Sequence, residues 1–143
     1  MSFALFAEHV LLLEPCPLCV FQRIAIIVLG VVFLVAALHN PAGGGRFAYA
    51  VLALAAAAGG GAVAGRHLWL QNLPPDRVPA CGPDLGYMMD AFPFSEVLKM
   101  VLTGSGECAK IAWEFLGLSM PAWVLIWAVA LGILGVGNNL RKA

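Results

Sequence analysis

Cys16, Cys19, Cys81 and Cys108 carry the chemistry that this chain offers. Cys16-Pro17-Leu18-Cys19 closes a small ring when oxidised, and a Cys-x-x-Cys pair of this kind cycles between dithiol and disulfide. The spacing predicts a helix beginning at or just after the motif, with Cys19 in its first turn. There the free N–H groups and the positive end of the helix dipole favour a thiolate. Arg23 follows Cys19 by four residues, one helical turn along the same face. A fixed cation at that place stabilises a thiolate or holds an anionic acceptor beside it. Arginine in a first turn opposes the dipole, so its presence asks for a reason; the plain one is snorkelling to a membrane interface.

Other uses of the cysteines fit less well. Covalent haem attachment requires His directly after the second Cys, where Val20 stands. A zinc site of four thiolates usually pairs two short-spaced motifs, whereas Cys81 and Cys108 are 27 residues apart. A static disulfide in each loop is the plain alternative. Two cysteine pairs on one side of a membrane, one of them at a helix start, favour exchange between pairs. Thiolate attack on a neighbouring disulfide passes electrons without a metal.

The elements that must hold these residues are set by composition. Of the 143 residues, 62% are hydrophobic and 11% charged, with eight Lys+Arg against eight Asp+Glu. Such a chain is neither a soluble globule nor a disordered tail, and its balanced charge gives nucleic acid no footprint. The expectation is an all-α integral membrane protein, a four-helix transmembrane bundle. Three spans are predicted, at 20–39, 47–70 and 120–138, near the 20 residues a bilayer requires. The run Ala55–Gly61 within the second either brings a neighbouring helix close or is plain filler. Residues 1–13 are apolar apart from Ser2, Glu8 and His9, yet as a helix they rise only about 20 Å against a core of roughly 30 Å. They are expected to form the outer part of a first helix truncated at its N-terminus.

Orientation follows from the short connections. Arg46 lies in the 40–46 loop, and Arg141 and Lys142 lie in the 139–143 tail, with no acid in either. The positive-inside rule puts both in the cytoplasm. The loops 14–19 and 71–119 then face outward, which in a bacterial inner membrane is the periplasm, where disulfides persist. Leu73–Pro83, with four prolines, should be irregular. Ser95–Leu102 reads as a short amphipathic helix with Ser95 as N-cap, lying in the interface or packed on the spans.

Electrons leaving Cys19 need an acceptor, and neither a flavin signature nor a nucleotide-binding glycine pattern is present. The membrane itself carries a suitable apolar two-electron acceptor, quinone. His67 and Gln71 stand four residues apart near the outer end of the second long span. They are candidates for hydrogen bonds to a quinone carbonyl, although an interfacial His satisfied by its surroundings is the more ordinary case.

Cys16-Pro17-Leu18-Cys19 followed by Phe21-Gln22-Arg23, two distant cysteines in one loop, and Trp113-Glu114-Phe115-Leu116-Gly117-Leu118-Ser119-Met120-Pro121-Ala122-Trp123 together resemble the disulfide bond formation protein B (DsbB) family. Phe92-Pro93-Phe94-Ser95-Glu96-Val97-Leu98 and Gly104-Ser105-Gly106-Glu107-Cys108 are similar to that family's loop. The resemblance runs from about Glu8 to the C-terminus. It implies a protein-disulfide:quinone oxidoreductase that reoxidises a periplasmic DsbA-type thioredoxin-fold oxidase, with ubiquinone or menaquinone as cofactor and no metal. It further implies disulfides Cys16–Cys19 and Cys81–Cys108. Cys81 is then the position attacked by the partner, Cys108 passes electrons to Cys16, Cys19 meets the quinone, and Arg23 and His67 support it. The competing possibility is a small membrane protein whose cysteines staple its outer loops or bind zinc.

Overall fold

The computed structural model describes residues 6, 9–10, 16–83, 85–111 and 113–141. The expected helix over 1–13 lies almost wholly outside the described residues. Three helices are long and apolar enough to cross a membrane: α1 (Pro17–His39), α2 (Gly44–Gln71) and, after the outer loop, the last helix, Met120–Arg141. Each is longer than its sequence pattern implied. α1 starts at Pro17 because proline's fixed φ suits a first helical position, where no N–H is needed. α2 begins three residues early, on Gly44-Gly45-Arg46, which hydropathy alone passes over. Between them, Asn40 adopts φ 40° and its N–H bonds Ala36 O at 3.0 Å, so the chain turns within a few residues.

The loop following α2 holds a 3-10 turn (Pro75–Arg77), α3 (Leu85–Ala91), α4 (Phe94–Thr103), a second 3-10 turn (Gly106–Ala109) and a two-stranded hairpin, β1 (Glu114–Phe115) with β2 (Leu118–Ser119). The final span is α5 (Met120–Arg141). The 73–83 stretch is irregular apart from its 3-10 turn, as its prolines dictate. α4 corrects one detail of the sequence reading: its N-cap is Pro93, and Ser95 sits inside the first turn. Extended Pro93 places its carbonyl to accept from Glu96 N–H (2.9 Å) and Val97 N–H (3.1 Å), so a serine cap has no role to fill. α3 and the hairpin have no forewarning in the sequence pattern.

α2 is the central element, packed against both α1 and α5, which meet each other at only a few points. Its buried stripe is Ala50, Ala53, Ala57, Gly60 and Ala64. A Cβ placed on Gly60 would lie 3.1 Å from Ala25 Cβ, and one on Gly132 of α5 would lie 2.9 Å from Ala57 Cβ. The small residues therefore admit a helix on either side and are not filler. The outward faces of α1 and α5, including Ile24, Ile27, Val31, Leu34, Ile133 and Leu134, stay exposed, as surfaces bathed in lipid do. The chain is a multi-pass membrane protein.

At the cysteine-bearing end a second cluster forms from Leu18, Leu70, Met88, Val97, Val101 and Cys108. α4 buries Val97 and Val101 there while leaving Phe94 and Leu102 exposed, so it is packed on the spans and keeps an apolar outer face. Arg66 holds its C-terminus: Nε donates to Leu102 O and Nη2 to Thr103 O, both at 3.1 Å, and the guanidinium lies 4.1 Å above the Trp69 ring. A cation bonded to the last carbonyls of a helix also suits its dipole.

Candidate functional site

Cys16 is the N-cap of α1, extended at φ −64° and ψ 155°, and its carbonyl accepts from Cys19 N–H at 2.9 Å. This one turn brings the two sulfurs to 2.9 Å, with the Cys16 thiol donating to Cys19 Sγ. Their side chains are half-buried, and all four cysteines are described as thiols. From α2, His67 reaches across with its ring 2% exposed. Its Nε2 lies 3.8 Å from Cys16 Sγ and its Nδ1 4.0 Å from Cys19 Sγ. Gln22, one turn after Cys19 on α1 and 4% exposed, donates from Nε2 to His67 Nδ1 at 3.0 Å. That bond leaves the other ring nitrogen, the one facing Cys16, to carry the proton of a neutral imidazole.

Cys108 arrives from the outer loop. The second 3-10 turn seats it in the apolar cluster, 1% exposed, with Cys16 packed against that cluster and within side-chain hydrogen-bonding reach. The bond with Cys16, and then burial, hold the Cys108 thiol above its ordinary value of 9.0. Ser105 Oγ, 3.6 Å from Cys108 Sγ, opposes that rise. Cys81 stands at the surface. Its segment is nonetheless laid along the 104–106 stretch, where Gly106 N–H donates to Ala80 O at 3.2 Å. Only glycine allows this approach, because a Cβ on Gly106 would run into Pro79 O and stand 3.3 Å from Cys81 N.

A sequence model of the family described as "Disulfide bond formation protein DsbB" matches residues 1–137. The chain belongs to the DsbB family. Among its DsbB relatives, each called Disulfide bond formation protein B, one from Hahella chejuensis is 60% identical over 126 residues, covering 88% of this chain and 76% of the relative. One from Saccharophagus degradans is 52% identical over 140 residues (98% and 84%). One from Acinetobacter baumannii is 56% identical over 133 residues (92% and 77%).

Of the residues singled out from the sequence, this DsbB chain brings Cys16, Cys19, His67 and Cys108 together. Arg23 is half-buried one turn beyond Cys19, and its charge acts on that thiol. Gln71 is engaged elsewhere: its Oε1 accepts from Ser119 Oγ at 2.8 Å, tying the end of α2 to β2. Gln22 and Ser105 belong to the site without having been assigned to it. Gln22 carried one readable signal, a polar side chain three residues past Cys19 in a helix whose other polar residues are Arg23 and His39. The role of Ser105 depends on the fold of a distant loop.

Proposed function

We propose that this DsbB chain reoxidises a DsbA-type dithiol oxidase and passes the electrons to membrane quinone, sustaining protein disulfide formation. The observation that carries the path is the seating of buried Cys108 against Cys16, which joins the outer-loop cysteines to the Cys-x-x-Cys pair. In the oxidised chain the pairs are Cys81–Cys108 and Cys16–Cys19. A partner thiolate attacks exposed Cys81, forming a mixed disulfide and freeing Cys108 as thiolate. The partner's second thiol resolves that mixed disulfide, leaving the partner oxidised and Cys81 reduced. Cys108 then attacks Cys16, forming Cys16–Cys108 and releasing Cys19. Attack of Cys81 on Cys108 restores the outer pair and leaves Cys16 and Cys19 as a dithiol. Each exchange breaks one S–S bond and forms another.

Quinone, when bound, supplies the acceptor for the two electrons and two protons whose loss re-forms Cys16–Cys19. The residues present suit an apolar, two-electron acceptor. His67 presents a ring N–H beside the dithiol, Arg23 lies one turn beyond Cys19 on α1, and the apolar faces of the spans continue from there into the bilayer. The protonated nitrogen of His67, held by Gln22, faces Cys16 and so orients a donor at the reacting sulfurs. The basic connections of Arg46 and Arg141 at the opposite end support an inner-membrane orientation with the cysteines in the periplasm.

The test is to supply reduced DsbA-type protein and quinone to the detergent-purified chain and follow quinone absorbance. Catalytic loss of the quinone signal, abolished by Cys19→Ser, is expected. No turnover with correctly inserted protein refutes the reading.

A further inference from the structure

The ligand atoms of Cys16, Cys19 and His67 lie within 4.8 Å of one another. We propose that in the reduced chain these three, with Cys108 as fourth ligand, form a binding site for a thiophilic divalent cation of the zinc type, which blocks turnover. The inference rests on the reading of Cys16–Cys19 as a redox pair, since only the reduced pair offers thiolates.

The geometry fits the ion. Zinc bonds of about 2.3 Å to sulfur and about 2.0–2.1 Å to nitrogen imply tetrahedral edges of roughly 3.5–3.8 Å. With Nε2 as the ligating nitrogen, the Cys16–Cys19 edge is 2.9 Å and the Cys16–Nε2 edge 3.8 Å, while Cys19 Sγ lies 4.0 Å from the other ring nitrogen, Nδ1. The sulfurs need to part by less than about 1 Å and the ring to turn so that Nε2 faces both of them, within the reach of side-chain rotation. Cys108, buried in the cluster against which Cys16 packs, lies outside this set of three and has to move in to complete three thiolates and one imidazole, a common zinc combination. Exposed Cys81 is not a ligand.

Gln22 supplies the outer partner that ligating histidines use. When Nε2 binds the ion, Nδ1 carries the ring proton, and a turn of the Gln22 amide presents its oxygen to accept it. The cation displaces one proton from each of the three thiols and changes no oxidation state. The ligated sulfurs are then unable to attack a disulfide or to give up electrons, so the ion inhibits the chain only when both cysteine pairs are reduced, after a second partner has opened Cys81–Cys108 and before quinone reoxidises the inner pair.

The experiment uses the reduced, metal-free chain under anaerobic conditions, titrated with Co2+ as a spectroscopic stand-in and then with Zn2+. One ion per chain is expected, with thiolate-to-cobalt charge transfer and the strong visible bands of a tetrahedral site, displaced by Zn2+. The signal should be absent from the oxidised chain and from Cys19→Ser. It should weaken by about tenfold or more in Cys108→Ser and in His67→Ala, and persist in Cys81→Ser. Zn2+ should stop quinone reduction, and a chelator should restore it. Absence of a thiolate–cobalt signal in the reduced wild type overturns the proposal, as does equal loss in Cys81→Ser. Quinone reduction by the metal-free chain, measured first, separates the two readings. Turnover without metal binding sinks this inference alone, and stoichiometric binding without turnover sinks the thiol-oxidase function instead.

Discussion

Gly106→Ala tests whether the outer pair of cysteines is held by backbone contact. A methyl group at this position enters the space of Pro79 O and approaches Cys81 N, so the 79–82 segment has to move away from the 104–106 stretch. Overpacking of this kind costs about 1–3 kcal/mol, and stretching the Gly106 N–H to Ala80 O bond adds about 1 kcal/mol. The dithiol form relaxes by letting the segments part. The Cys81–Cys108 disulfide does not, since its Cα atoms must stay within about 7 Å. A differential strain of about 2–3 kcal/mol, at roughly 30 mV per 1.4 kcal/mol, raises the reduction potential of the pair by about 40–60 mV. The pair then accepts electrons from the partner more readily and is re-formed less readily by Cys81. The assay equilibrates a Cys16→Ser/Cys19→Ser background with a graded thiol buffer, traps with acid and counts alkylated cysteines by mass. Gly82→Ala is the matched control, because its Cβ meets Ser105 Cβ at 3.4 Å, an ordinary contact. Coincidence of the two potentials within about 10 mV refutes the reasoning.

Arg23→Ala should slow quinone reduction more than it slows disulfide exchange with the partner; stopped-flow measurement of the two half-reactions separates them, and equal losses make Arg23 purely structural. Arg66→Ala removes two bonds to the last carbonyls of α4 and the contact with Trp69. Amide exchange across 94–104 should accelerate by about tenfold, with Arg66→Lys intermediate, for a loss of about 1–2 kcal/mol of docking. In the reduced chain, iodoacetamide should label exposed Cys81 well before buried Cys108. The raised Cys108 thiol favours the protonated folded state, so its contribution to stability is full below the ordinary value of 9.0 and is lost as pH rises above it. Cys108→Ala should therefore flatten the alkaline decline in stability measured by denaturant titration.

Much of the membrane architecture was legible because it depends on composition and spacing. Long apolar runs give spans, and the placement of Arg46 and Arg141 gives an orientation to test. Cys16, Cys19 and Arg23 were legible as a unit because a helix start positions all three by local geometry. His67 was placed near them by its height in the second span. The remainder rests on contacts between segments far apart in the chain. Gln71 shares a helical face with His67, yet Ser119 takes its side chain, and no spacing rule encodes that pairing. The hairpin turns through Leu116 at φ 54° and Gly117 at φ 76°, and leucine is not a residue that announces a left-handed turn. Ser95 looked like a cap until Pro93 set the start of α4. The close approach at Gly106 is invisible until the 79–82 segment is seen lying on it.

The unequal exposure of Cys81 and Cys108 bears on which reductants the chain accepts. A small thiol such as glutathione finds one sulfur open to it, and the next lies under Leu18, Leu70 and Val101. On the proposed path, attack at Cys81 frees Cys108 beneath this cluster rather than in solvent. The apolar cluster thus works as insulation. It leaves Cys81 as the open sulfur of the outer loop and keeps small thiols from attacking Cys108 directly.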